Sequence, residues 1–171
     1  MYNEYMKIEE LEKDIQTHKE KSPNTYHDII NVTVPFYMLY NKLISSITKL
    51  QEEKFNITNS ELDVLGSLKM SGDKEFTLSP TKLYERLLFS SGGMTKVLKK
   101  LEEKNFIKRV DNKDDKRSKL VKMTPSGGDI LEKTLKAVIL DENEIFKNLD
   151  ENERLMLKNL LVKTLKDPED L

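Results

Sequence analysis

Basic and small polar side chains carry the chemistry of this sequence. Positions 79–123 hold thirteen Lys or Arg against six Asp or Glu, in a chain of 171 residues whose net charge is −1. Local cationic density of this kind neutralises phosphates, whatever the average elsewhere. Seven of the cations fall into two groups. Lys96, Lys99, Lys100 and Lys104 share a helical pattern with the apolar positions Met94, Val97, Leu98 and Leu101 and are read as its outward face, together with Thr95. Lys113, Lys116 and Arg117 lie with Asp111, Asp114 and Asp115 in a run almost free of apolar residues. Just ahead of the first group stands Ser90-Ser91-Gly92-Gly93. Either Ser can cap a helix, whose free N–H groups and positive dipole end favour a phosphate. The glycines remove side chains where backbone and ligand come close, at a cost in helix propensity.

Catalytic chemistry finds no footing. The sequence has no cysteine, no Ser/His/Asp grouping and no phosphate-cradling glycine loop followed by Lys. Its two histidines, His18 and His27, lack a matching cluster of metal ligands. The acid pair Asp114-Asp115 lies in a loop too exposed to tune a proton transfer. The chain is therefore read as a non-enzyme with no cofactor and no metal.

The cationic groups need elements to hold them. Ser79-Pro80 opens one helix, with Ser as cap and Pro at the first helical position, and Leu83, Leu87 and Leu88 follow at helical spacing. Residues 89–93 interrupt that pattern before the basic helix. Residues 106–110 and 120–123 read as strands, the charged run between them as a wing, and residues 76–78 as a short strand that pairs with the wing. A helix pair followed at once by a wing is the winged helix-turn-helix layout. Its second helix fits a major groove, and its wing reaches an adjacent minor groove. On that layout Thr95 and Lys96 face base edges, while Lys99, Lys100, Lys113 and Lys116 meet phosphates. Arg117 enters the minor groove, whose potential is most negative where it is narrow. Arg109 and Asp115 shape the wing, Asp115 by pairing with Arg109 or Arg117. Ser79, Thr81, Ser90, Ser91, Gly92 and Gly93 complete the candidate DNA-binding set.

Several of these stretches, taken in order, resemble the MarR family of bacterial transcriptional regulators. They are Leu78-Ser79-Pro80-Thr81-Lys82-Leu83, Ser90-Ser91-Gly92-Gly93-Met94-Thr95-Lys96, Leu101-Glu102-Glu103-Lys104, Asp115-Lys116-Arg117-Ser118 and Met123-Thr124-Pro125-Ser126-Gly127. Asp115 and Arg117 sit where that family's wing motif sits, and Thr124 and Gly127 match its strand-to-helix exit. There are two departures: Leu88 replaces the family's turn Gly, and Asn105 replaces the Gly before the strand. The second is mild, because Asn tolerates the left-handed conformation. The resemblance implies a dimeric regulator, most often a repressor. It also implies a small-molecule effector held between a long N-terminal helix and the DNA-reading lobe. That makes Tyr37, Met38, Tyr40 and Met70 candidate pocket residues, although such side chains are more often plain core.

The flanks are helical. Residues 1–21 carry a narrow stripe of Tyr5, Ile8, Leu11 and Ile15, broken by Ser22-Pro23-Asn24. Residues 26–53 form a long helix bent at Pro35, with Phe36, Leu39, Tyr40, Leu43, Ile44, Ile47 and Leu50 beyond it. Thr58 and Glu61 form a capping box, as do Asp150 and Glu153, and Thr124-Pro125 starts another helix. The last helix bears Leu157, Leu160, Leu161 and Leu165. Stripes without internal partners are most economically covered by a two-fold dimer. The chain is thus expected to be mainly α, a winged helix-turn-helix with a small β-wing between N- and C-terminal dimerisation helices. The parts are residues 1–54, 55–124 and 125–171.

With no apolar run long enough to span a membrane and no signal-peptide pattern at its start, a cytoplasmic location is the default expectation. The leading expectation is a homodimeric, sequence-specific regulator on a pseudo-palindromic operator in double-stranded DNA. A winged-helix protein-interaction module and a non-specific DNA-compacting protein remain as alternatives. Salt dependence of DNA affinity and the specificity ratio separate the three.

Overall fold

The computed structural model describes residues 8–87, 91–113, 115 and 117–166. The elements run α1 (Ile8–Lys21), α2 (Ile30–Phe55), α3 (Asn59–Ser71), β1 (Thr77–Leu78), α4 (Pro80–Leu87), α5 (Ser91–Glu103), β2 (Ile107–Asp111), β3 (Lys119–Met123), α6 (Pro125–Ile145) and α7 (Glu151–Leu165). They fall into two compact units, one ending at Lys49 and the other beginning at Leu50.

In the first unit Leu11 of α1 packs with Val34 and Met38 of α2, and Ile15 and Ile30 close the cluster. The expected stripe is therefore present from Leu11 to Ile15, while Tyr5 lies outside the described residues. α2 begins at Ile30, not at position 26. His18, Thr25 and Asp28 explain the delay. His18 Nε2 meets Thr25 Oγ1 at 3.0 Å, Tyr26 OH donates to Asp28 Oδ1 at 3.1 Å, and the Ile30 N–H donates to the His27 carbonyl at 3.0 Å. Thr25 Oγ1 also donates to the Ser22 carbonyl at 3.1 Å and the Ile29 N–H to His27 Nδ1 at 3.2 Å, side chain–backbone bonds that compete with a helix. Pro35 lies inside α2.

The second unit is organised on α3, which lies against α4, α5, α6 and the sheet. Its capping box forms as expected: the Glu61 N–H donates to Thr58 Oγ1 at 3.3 Å, and the Thr58 N–H donates to Glu61 Oε2 at 2.8 Å. Ile57, Val64, Leu65, Leu68, Leu83, Met94, Leu98, Leu101, Val121 and Leu131 make its dry centre. The sheet is three-stranded and antiparallel in the order β1-β3-β2. Thr77 of β1 stands opposite Lys122, and Ile107 of β2 opposite Met123, so the wing strands are joined to the helices at their base. Gly127 permits α6 to start there. A Cβ at that position would lie 2.1 Å from the Phe106 carbonyl oxygen. α7 is capped by Asp150 and Glu153, and its own chain buries none of its residues.

Candidate nucleic-acid interface

α5 carries the basic group. Met94, Leu98 and Leu101 are buried and Val97 is half-buried, whereas Thr95, Lys96, Lys99 and Lys100 are exposed. The 3.6-residue period thus sorts this helix as the sequence implies. Lys99 approaches Glu103 at 3.8 Å, a loose contact one turn along the helix surface. Gly92 is exposed, and a Cβ there would meet nothing within 4 Å. No packing demand of the chain itself explains its glycine. Gly93 is half-buried. The backbone of Ser91 opens α5; Ser90 and Leu88 lie outside the described residues, as does the expected cap at Ser90.

The end of α5 settles the second departure. Asn105 adopts a left-handed φ of 58°. The Phe106 N–H donates to the Leu101 carbonyl at 2.9 Å, and the Asn105 N–H to the Glu102 carbonyl at 2.9 Å. This is a Schellman ending built on Asn where Gly is more usual.

Lys104 corrects the sequence reading. It is not on the outward face. Its Nζ donates to both oxygens of Glu61, each at 2.9 Å, and to the Asn56 carbonyl at 2.7 Å. The reason is periodicity: Lys104 lies three residues beyond Leu101 and seven beyond Val97, which places it on the buried side. Glu61, only 1% exposed, was visible in the sequence as a cap but not as the partner of this cation.

The wing is tied at three levels. At its base, Arg109 Nε donates to Glu102 Oε1 at 3.2 Å. Higher up, Lys119 pairs with Asp111 across the strands. At the tip, the Arg117 N–H donates to Asp115 Oδ1 at 3.0 Å, Ser118 Oγ to the Asp115 carbonyl at 3.1 Å, and Asn112 Nδ2 to Ser118 Oγ at 2.9 Å. Asp115 therefore shapes the turn through a backbone N–H, and Arg109 is held by Glu102 instead. The Arg117 and Lys113 side chains are exposed. Lys116 lies outside the described residues. In α4, Ser79 Oγ accepts the Lys82 N–H at 3.2 Å, so Ser79 is a helix cap, while Thr81 is exposed.

Met38 is packed into the core of the first unit, and Tyr37 and Tyr40 are exposed. Met70, in the second unit, borders a cleft of about 530 Å³ whose wall also includes Asp63, Ser67, Arg86 and Leu135. Partial burial raises the Asp63 carboxyl above the usual Asp value. Among the described residues no group of three or more His, Cys, Asp or Glu could hold a metal ion. No described helix is long and apolar enough to cross a membrane.

Comparisons with known proteins agree with this geometry. The MarR family model matches residues 55–118. The multiple antibiotic resistance protein MarR of Salmonella typhimurium is 31% identical over 146 residues, covering 81% of this chain and 96% of its own. The HTH-type transcriptional regulator PapX of Escherichia coli is 27% identical, covering 94% of this chain and 96% of its own. Wild-type MarR from E. coli in its apo form superposes with a TM-score of 0.69 at 29% identity, covering 82% of this chain and 100% of that one. A mutant of E. coli MarR complexed with operator DNA gives 0.60 at 30% identity over the same shares. With a relative above 30% identity matched along nearly its whole length, and with a winged helix in the fold, the chain belongs to the MarR family.

Proposed function

We propose that this protein is a homodimeric, sequence-specific DNA-binding transcriptional regulator that acts as a repressor on a pseudo-palindromic operator. The observation that carries the reading is the exposed face of Thr95, Lys96, Lys99 and Lys100 on a helix whose other side is core, beside a braced wing that presents Arg117 and Lys113. Thr95 and Lys96 read base edges, and Lys99, Lys100, Lys113 and Lys116 hold phosphates. Arg117 enters the minor groove, and the start of α5 with Gly92 and Gly93 lets the backbone approach the duplex. A solved relative bound to operator DNA supports this use of the fold.

Dimer formation is supported by the terminal helices. Ile139 and Leu140 of α6 and Leu155, Met156, Leu160 and Leu165 of α7 are exposed large apolar residues, with Leu165 at 84%. Large apolar side chains left uncovered along two helices support an association site there. A small-molecule effector would meet the cleft beside Met70 and Asp63, where apolar walls stand next to convergent polar groups. DNA as partner supports a cytoplasmic location, and no catalytic role is assigned to any residue.

The test is selection of bound sites from random duplex DNA, followed by titration of the best site and a scrambled duplex across a salt series. A regulator gives a steep salt slope and a specificity ratio of about 10³ or more. A ratio near one favours a compacting protein, and no DNA affinity favours a protein-interaction module.

A further inference from the structure

The C-terminal end of α5 is fixed by a cation that faces protein. Lys104 Nζ fills a site made of both Glu61 carboxylate oxygens and the Asn56 carbonyl, at 2.7–2.9 Å. Glu61 is buried, and its Oε2 also accepts from the Thr58 N–H at 2.8 Å and Thr58 Oγ1 at 3.2 Å. An ammonium so placed balances a carboxylate taken out of water. It cannot swing to a phosphate without stranding that charge. The contact also spans elements: Asn56, at a left-handed φ of 48°, ends α2, Thr58 and Glu61 begin α3, and Lys104 follows the last residue of α5. α5 is thereby pinned to the corner from which α3, the helix beneath it, sets out.

The lever arm matters. Thr95 lies nine residues from Lys104, about 13 Å at 1.5 Å per residue, so a tilt of about 5° at the pinned end moves Thr95 by about 1 Å. Base readout tolerates only about 0.5 Å. Contacts to phosphates by flexible lysines tolerate far more.

We propose that Glu61 and Lys104 are positioning residues for sequence recognition: the latch sets the pitch of α5, so a buried acidic residue governs DNA specificity. This inference rests on the DNA-binding reading above. Simple electrostatics predicts the opposite sign. Removing the Glu61 charge would tighten binding to any duplex, and losing Lys104 as a phosphate contact would weaken all sequences alike.

The experiment uses the full chain and the selected and scrambled duplexes, with wild type, Glu61→Gln, Lys104→Met and Lys104→Arg. Melting curves and sedimentation establish that each is folded and dimeric. Gln keeps the acceptor of the capping box, so Glu61→Gln retains the α3 start. Where Lys104→Met fails to fold because the Glu61 carboxylate is stranded, the double variant Glu61→Gln/Lys104→Met takes its place. We expect Glu61→Gln to bind the selected site about tenfold more weakly, the effect of roughly one mismatched base pair, with scrambled affinity unchanged or slightly tighter. Lys104→Met loses the same specificity with an unchanged salt slope, and Lys104→Arg recovers part of it. Undiminished specificity in Glu61→Gln overturns the latch. So does a uniform loss in Lys104→Met with a slope shallower by about 0.9, the signature of one lost phosphate contact. A wild-type specificity ratio near one overturns the regulator reading and the latch together, which separates that failure from the others.

Discussion

Arg109 Nε donates to Glu102 Oε1 at 3.2 Å and so ties the first wing strand to the last turn of the recognition helix. The two reading elements are thereby joined by a side-chain pair as well as by the Asn105 turn. Both partners are about one-third exposed, so the pair contributes little to stability. Its value lies in geometry. Glu102→Ala should leave unfolding free energy within about 1 kcal/mol of wild type. Operator affinity should nonetheless fall by more than the lost negative charge would raise it. Calorimetric melts paired with anisotropy titrations check this, and tighter DNA binding would sink it.

Arg117 stands on a wing tip whose shape is set by the Asp115 carboxylate on its own backbone N–H, at 3.0 Å. The side chain is therefore presented by a turn that does not depend on it. Arg117→Ala is expected to weaken operator binding by about 1–3 kcal/mol while the dimer stays folded. Competition titrations and sedimentation velocity give the two readouts. Unchanged affinity would remove the wing from the interface.

Two glycines make opposite predictions. At Gly127 a Cβ would sit 2.1 Å from the Phe106 carbonyl oxygen, so Gly127→Ala must displace the start of α6. A loss of about 1–3 kcal/mol or more follows, read by denaturant unfolding. At Gly92 a Cβ meets nothing within 4 Å. Gly92→Ala should raise stability by up to about 1 kcal/mol through helix propensity and yet weaken operator binding, because the added methyl occupies space reserved for the duplex. A variant that is both more stable and equally tight on DNA would show that the open face has another use.

Within its own chain α7 buries no residue, so a charge placed there disturbs no internal packing. Leu160→Glu is expected to yield a helical monomer in sedimentation, with operator affinity reduced because half-site binding loses its twin. A dimer of wild-type strength would place the association surface elsewhere.

Much of this was legible in the sequence, for identifiable reasons. The caps at Thr58, Thr124 and Asp150 are local, and all three form. The wing strands and the buried side of α5 are periodic over a few residues, and periodicity survives tertiary context. Lys104 follows helical phase and not the sign of its charge, and its partner Glu61 lies 43 residues away, beyond the reach of local pattern. The start of α2 is not legible because Tyr26 bonds to Asp28 and His27 takes the N–H groups of Ile29 and Ile30, local contacts that periodicity does not register. For Asp115 the sequence suggests a pairing with Arg109 or Arg117, whereas its carboxylate accepts the main-chain N–H of Arg117, a role that carries no signature distinguishable from an ion pair.

The uncovered leucines of α7 bear on dosage. If subunits must pair to hide them, the amount of paired protein follows the square of the unpaired concentration at low abundance. Each dilution by cell growth would then thin the operator-competent form faster than the polypeptide itself, and make occupancy steep in the rate of synthesis.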